Sequence, residues 1–478
     1  MRRKQPRERC TTPAQSASGG PDQGAAAEGE DARGPGELAD GPGSFADNSS
    51  YVPGHGDESY RVRSYDIELV VKLAGNHVEG TARLVAVPRV ASLERFALDL
   101  HHLKVGSVSV DGKAAKFTHR AGRLVVTPRK PLTSAASFTV TVKYSGNPRQ
   151  VRGLDGLAGW EELDDGLIVA SQPHGAPSWF PCNDRPADKA SYRFTITTDS
   201  DYAVVSNGSL VSTRRRSSRT TWVYDQPEPM AAYLATLQIG RYDTVDVGGA
   251  SVPIRLHFPP THRRAVTEGP MMRQAAMLAT FEEAYGPYPF GRYDVVITDD
   301  VLEIPLEAQT LSIFGHNYAR PGWEHERLIA HELAHQWFGN SLTLEHWRDI
   351  WLHEGFACWS EWLWSERSGG TTAAAHARRH HRGLALQPKD LVLADPTPQL
   401  MFDDRVYKRG GCTVQALREK VGDEAFFAVL REWTAVHRHG VVTTPMFIEL
   451  VCRRTGLDAS WFDPWLYERA LPSMGPTP

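Results

Sequence analysis

The sequence predicts a multidomain α+β protein in which an all-β amino-terminal domain precedes a mainly helical one, and three observations carry that expectation. From "YRVRSYDIELVVKL" through "FTVTVKYSGNP", "ASYRFTITTDSDYAVVSNGSL" and "TTWVYDQ" to "VPIRLHF", short alternating or β-branched runs are broken by Gly, Asn-Gly and Asp-Gly turns, as strands and hairpins require. Past about residue 258 the period lengthens. "RRAVTEGPMMRQAAMLATFEEAYG", "WEHERLIAHELAHQWFG", "WRDIWLHEGFACWSEWLWSERSG", "YKRGGCTVQALREKVG" and "DEAFFAVLREWTAVHRHG" carry apolar residues at helical spacing, with a short strand-like "YDVVITDDV" among them. Finally, 478 residues exceed what one hydrophobic core usually serves.

The first fifty residues hold only Met1, Leu38 and Phe45 as large apolar side chains. Such a stretch cannot bury enough surface to offset the entropy of ordering it, so 1–58 is expected to be disordered. The β domain is expected over 59–250 and the helical domain over 251–478. "MRRKQPRERC" has the basic start of a signal peptide but no apolar stretch after it, which favours a cytoplasmic protein. The rival expectation is a start upstream, with Cys10 heading a lipid-anchored tether.

Composition narrows the function classes. A formal charge of −4 gives no reason to expect nucleic acid as a partner. No apolar run approaches the length that spans a bilayer. The arginine clusters "TRRRSSR" and "HARRHHR" are expected to be solvated surface. Cys10, Cys182, Cys358, Cys412 and Cys452 form no C-x-x-C pair, so neither a cysteine metal site nor a disulfide framework is suggested.

The chemistry gathers in "LIAHELAHQWFGN", residues 328–340. Positions four apart lie about 40° apart around a helix, so His331 and His335 project side by side with Glu332 next to them. The spacing alone also suits two packed core histidines. "WLHEGFA" tips the balance, because Glu354 stands nineteen residues after His335 on a second helical segment. Catalytic zinc commonly takes three protein ligands and keeps a fourth position for water. One Zn2+ per chain on His331, His335 and Glu354 is therefore expected.

"HELAHQWFGN" followed by "WLHEGFA" resembles the zinc aminopeptidases typified by membrane alanyl aminopeptidase and leukotriene hydrolase/aminopeptidase. "WFPCNDRPADKASYRFTI" and "MAAYLATLQIGRYDT" are similar to that family's amino-terminal β domain, and "GPYPFGRYDVV" and "SWFDPWLY" to its catalytic domain. The resemblance implies a saddle-like β sheet or sandwich ahead of a thermolysin-like zinc peptidase domain. It also implies Glu332 as general base. The family's amine-gripping G-x-M-E-N stretch corresponds to "IPLEAQT", which places that role on Glu307. Here Ile304, Pro305 and Ala308 depart from the pattern, and a proline offers no backbone N–H to substrate. Gln172 in "SQPHGAPSWFPC" is implied as a second amine partner, or it caps a turn. The family's Y-x-K-G stretch corresponds to "VYKRGG", giving Tyr407 the oxyanion and Arg409 the lysine's place. Glu361, seven residues after Glu354, either orients a ligand histidine or is a solvated helix glutamate.

The expected function is a zinc aminopeptidase acting on peptides with a free amino terminus, as a monomer. The alternatives are a zinc endopeptidase or other zinc hydrolase, and an inactive peptide-binding homologue. Glu307 and Gln172 argue against an endopeptidase, since a buried anionic site has no partner in a chain's interior. Retention of the five catalytic and ligand residues argues against an inactive homologue. Pro478 follows soon after "SWFDPWLYERALP", so a two-domain protein with a more open cleft than the longer relatives is expected.

Overall fold

The computed structural model describes residues 51–475, Asp155 excepted. The alternation read in the sequence becomes burial. In the strand Tyr60–Lys72, Tyr60, Val62, Tyr65, Ile67, Leu69 and Val71 turn into the core while Arg61, Arg63 and Glu68 face water. This strand pairs antiparallel with His77–Pro88 and parallel with Ala190–Asp199 near the centre of an eight-stranded sheet. A five-stranded sheet follows in the order Val151–Gly153, Gly156–Leu163, Gly166–Ala170, Leu237–Gly240 and Ala203–Ser206.

A second five-stranded sheet begins at Asp243 and positions the site. Asp243–Val247 pairs with Ile254–Phe258, so the junction expected at 250/251 falls in the turn between two strands of one sheet. Tyr293–Thr298 is the strand expected from "YDVVITDDV". It is buried at every residue and parallel to both neighbours, which explains an apolar run without alternation. Leu311–Gly315 comes next, and Leu306–Ala308 forms the outer edge.

The helical part contains Trp323–Ala334, which starts after Gly322 with Glu324 and Glu326 in its first turn, then Trp351–Arg367 and Asp404–Val421. Asp403 caps the last of these, its side chain accepting the Arg405 N–H. No helix among the described residues is long and apolar enough to cross a membrane.

Two expectations need correction. Disorder was expected to about 58, but residues 51–58 are ordered by tertiary partners. The Asp57 carboxylate accepts the N–H groups of Ser59 and Ala97, and Asp57 N donates to Asn183 Oδ1. Residues 1–50, with Cys10, lie outside the described residues. "HARRHHR" is not all solvated: His376 is buried, and both His376 and His380 stack on Trp362 along one face of the helix Ala373–Leu384. "TRRRSSR" is exposed over residues 213–218.

Candidate active site

The helix Trp323–Ala334 carries His331 and Glu332, with His335 at its carboxy-terminal cap. Glu354 lies in the first turn of Trp351–Arg367. These helices pack so that Glu354 Oε2 stands 3.4 Å from Nε2 of both His331 and His335. The three ligand atoms fall within 4.8 Å of one another, all on buried residues. Each imidazole is oriented from behind. His331 Nδ1 lies 2.8 Å from Glu361 Oε1, and His335 Nδ1 donates to the Phe338 carbonyl at 2.9 Å. Nδ1–H donation turns both Nε2 lone pairs toward the Glu354 carboxylate.

That arrangement calls for a cation. Burial alone would depress His331 and His335, but Glu354 and Glu361 beside the first, and Glu307 and Glu354 beside the second, push them up to about 9 and about 10. Glu354 is pulled well below the usual carboxylate range by the two imidazoles, against its own burial. Two imidazole nitrogens and one carboxylate oxygen with room for water form the donor set of a catalytic zinc, so the residues present fit the ion. Glu361 acts behind His331 as one sequence reading expected. Its carboxyl would rise on burial, yet Lys408, His331 and Arg327 draw it down to about 2.

Glu332 is buried and its Oε2 has no hydrogen-bond partner among the described residues. Desolvation raises its pKa, and the two histidines oppose the rise. An unsatisfied buried carboxylate oxygen beside the ligand cluster is an unused proton acceptor. Gln172 and Glu307 meet as a pair, Nε2 donating to Oε1 at 2.6 Å. Burial raises Glu307, with Glu354 adding to the rise and His335 opposing it. Tyr407 stacks its ring over His331, with centroids 6.0 Å apart. Its hydroxyl is held protonated, first by desolvation and then by Glu354, Glu307 and Glu332. The seven residues expected as ligands, catalytic groups or amine partners, His331, His335, Glu354, Glu332, Tyr407, Gln172 and Glu307, line one cavity of about 1020 Å³, and Glu361 lines it too.

The structure adds residues that the motifs did not reveal. Gln336 and Asn340 both donate to the Ala308 carbonyl, at 3.1 and 3.0 Å, and Gln336 Oε1 accepts the Thr310 N–H at 2.9 Å. They clamp the turn after Glu307 to the metal helix. Their signal was present, since both sit in "HELAHQWFGN", five residues beyond His331 and His335 respectively. Arg409 does not face the cavity. Its guanidinium bonds carbonyls of Leu391, Pro464, Trp465, Glu468, Arg469 and Ala470, tying down the carboxy-terminal segment. Lys408 instead lines the cavity wall.

Comparison with known proteins agrees with this geometry. The Peptidase M1 N-terminal domain matches residues 62–234 and the Peptidase family M1 domain matches residues 270–465. The crystal structure of an M1 zinc metallopeptidase from Deinococcus radiodurans superposes with a TM-score of 0.81 at 29% identity, covering 89% of this chain and 98% of that one. A mutant of it bound to a Tyr-Ser-Ala substrate matches equally well. A leucyl aminopeptidase from Saccharolobus solfataricus is 24% identical over 70% of this chain, and endoplasmic reticulum aminopeptidase 1 from Homo sapiens 25% over 78%. The chain spans less than half the length of these two relatives, 44% and 43%. With both characteristic domains matched in order along a fold shared almost end to end with a solved member, the protein belongs to peptidase family M1.

Proposed function

We propose that the chain is a zinc-dependent aminopeptidase that hydrolyses the first peptide bond of peptides with a free amino terminus. One observation carries the reading: the buried Glu307, paired with the half-buried Gln172, lines the same cavity as the His331, His335 and Glu354 cluster. A buried carboxylate wants a cation, and the cation of a peptide nearest a scissile bond is its terminal ammonium. Zinc held by the three ligands supplies Lewis acidity and lowers the pKa of water toward about 7.

The chain's own groups do the rest. Glu307 and Gln172 hold the ammonium, which fixes the reacting bond as the first one. Glu332 Oε2 accepts the proton of the attacking water and returns it to the departing amine nitrogen. The Tyr407 hydroxyl donates to the oxygen that becomes negative as the peptide carbon turns tetrahedral. Glu361 and the Phe338 carbonyl hold the ligand imidazoles in register. The reading extends to a monomer, supported by one complete cleft within the chain. It extends also to a cytoplasmic protein, supported by four unpaired cysteines, Cys182, Cys358, Cys412 and Cys452.

The test compares aminoacyl-nitroanilides and short peptides with their N-acetylated forms. Cleavage confined to the free amines is expected. Equal cleavage of both forms replaces this reading with an endopeptidase.

A further inference from the structure

We infer that the cleft selects large apolar side chains at the second and third residues of its substrate, through a lip formed by Val301, Ile304 and Leu157. The inference rests on the aminopeptidase reading and deepens it.

Large apolar side chains left in water are few here. Among the described residues ten are exposed, and three of the ten, Val301 at 66%, Ile304 at 67% and Leu157 at 52%, line the active-site cavity. They come from two separate parts of the chain, the segment before Glu307 and the strand Gly156–Leu163 of the β domain. Scattered exposed leucines need no explanation, but apolar groups converging on the mouth of a catalytic cavity mark a place where something apolar is bound.

The lip is held in place. The Asn317 side chain accepts the Leu302 N–H at 3.2 Å and donates to the Leu302 carbonyl at 3.1 Å, and the Tyr318 hydroxyl donates to the Glu303 carbonyl at 2.6 Å. Pro305, next after Ile304, is buried. Backbone so fixed holds Val301 and Ile304 toward the cleft as a preformed surface, with little ordering cost on binding.

Distance says which substrate residues meet it. Leu306–Ala308 is the outer strand of its sheet and has Leu311–Gly315 as its one strand neighbour among the described residues, and Leu306 and Glu307 line the cavity. A peptide whose ammonium sits at Glu307 and which extends past Ile304 runs antiparallel to that edge. Extended chain advances about 3.3 Å per residue, so the three positions from Glu307 to Ile304 span about 10 Å, the reach of the second and third residues. Along this stretch Pro305 offers no N–H. Side-chain contact takes over what backbone bonding cannot supply. The arginine and the lysine that line the cavity are already committed, Arg327 to Glu324 and Glu361 and Lys408 to Asp404.

The test measures kcat/KM of the zinc-loaded full chain on two tetrapeptide amide series, Ala-X-Ala-Ala and Ala-Ala-X-Ala, with X as Leu, Phe, Gly, Asp or Lys. Leu and Phe are expected to exceed Asp and Gly by about tenfold in both series. Ile304→Lys is expected to turn the third-residue preference toward Asp, a gain that misfolding cannot produce. Val301→Ser and Leu157→Ser are each expected to shrink the Leu to Asp ratio to about threefold. A wild-type ratio near one, or Ile304→Lys with unchanged preference, overturns the inference while turnover of Ala-nitroanilide still supports the aminopeptidase reading. Absence of turnover on every free-amine substrate overturns both.

Discussion

Glu332 shows most plainly how a single residue is set for its task. Its Oε2 is buried with no hydrogen-bond partner among the described residues, a state that costs stability and is retained where the group has work to do. Glu332→Gln keeps the shape but cannot accept a proton. It is expected to retain one zinc per chain by elemental analysis, to unfold at no lower temperature, and to lose about 10² to 10⁴ in kcat. A loss under tenfold contradicts the role. At this scale the sequence was most legible where function is carried by short spacing. His331, Glu332 and His335 need only a helix, and Glu354 only a second one. Gln172 and Glu307, 135 residues apart and bonded, could be paired only through family resemblance, because no local pattern links them. Lys408 and Arg409 were hidden for the same reason. Adjacent on one helix, they point in different directions, and tertiary packing decides which one faces the cavity.

Between elements, what matters is how closely two helices approach. Trp351–Arg367 and Asp404–Val421 cross at Gly355 and Gly410, where a Cβ on Gly355 would stand 2.8 Å from the Gly410 Cα, and a Cβ on Gly410 2.6 Å from the Gly355 Cα. This backbone contact brings Glu354, one residue before the crossing, into the same cavity as Tyr407, three residues before Gly410. Gly355→Ala must push the helices apart. It is expected to cost about 1 to 3 kcal/mol in urea unfolding and to lower kcat further by moving Tyr407, with both effects measured on one preparation. Unchanged stability and kcat contradict this account of the crossing. Helix existence and type were legible from the 3.6-residue period. The glycines' purpose was not, since "WLHEGFA" and "YKRGG" read only as a metal motif and a helix start. The strand Leu306–Ala308 was also unreadable, three residues being too short for periodicity, and its place comes from Gln336 and Asn340.

For the whole molecule, the two domains are joined through buried polar chemistry. Lys189, at the start of the strand Ala190–Asp199, donates to the carbonyls of Asn340, Ser341 and Gly440 at 3.0, 2.8 and 3.2 Å, linking the β domain to the turn that follows the metal helix. Burial pushes its ammonium down to about 7. A lysine near 10.4 when unfolded then binds more protons in the unfolded chain between about pH 7 and 10.4, so its contribution to stability rises with pH across that window. From pH 7 to 9 the wild type should gain at most about 3 kcal/mol over Lys189→Met in urea unfolding, less where the three carbonyls favour the charged form. Parallel pH dependence in the two proteins contradicts this. The order of an all-β part before a helical part was legible because period and turn residues change along the chain. The junction was not, because the hairpin Asp243–Phe258 has the composition of the first domain and the hydrogen bonds of the second. Whether a carboxylate beside the metal cluster sets the cleavage register by gripping a free amine is decided by kcat/KM of Glu307→Gln, with zinc content measured in parallel. A fall of about ten- to a hundredfold on free-amine peptides, unchanged zinc, and no cleavage of N-acetylated peptides by either protein are expected. A variant that cleaves free-amine peptides as well as wild type does, or a wild type that cleaves N-acetylated peptides equally fast, contradicts it.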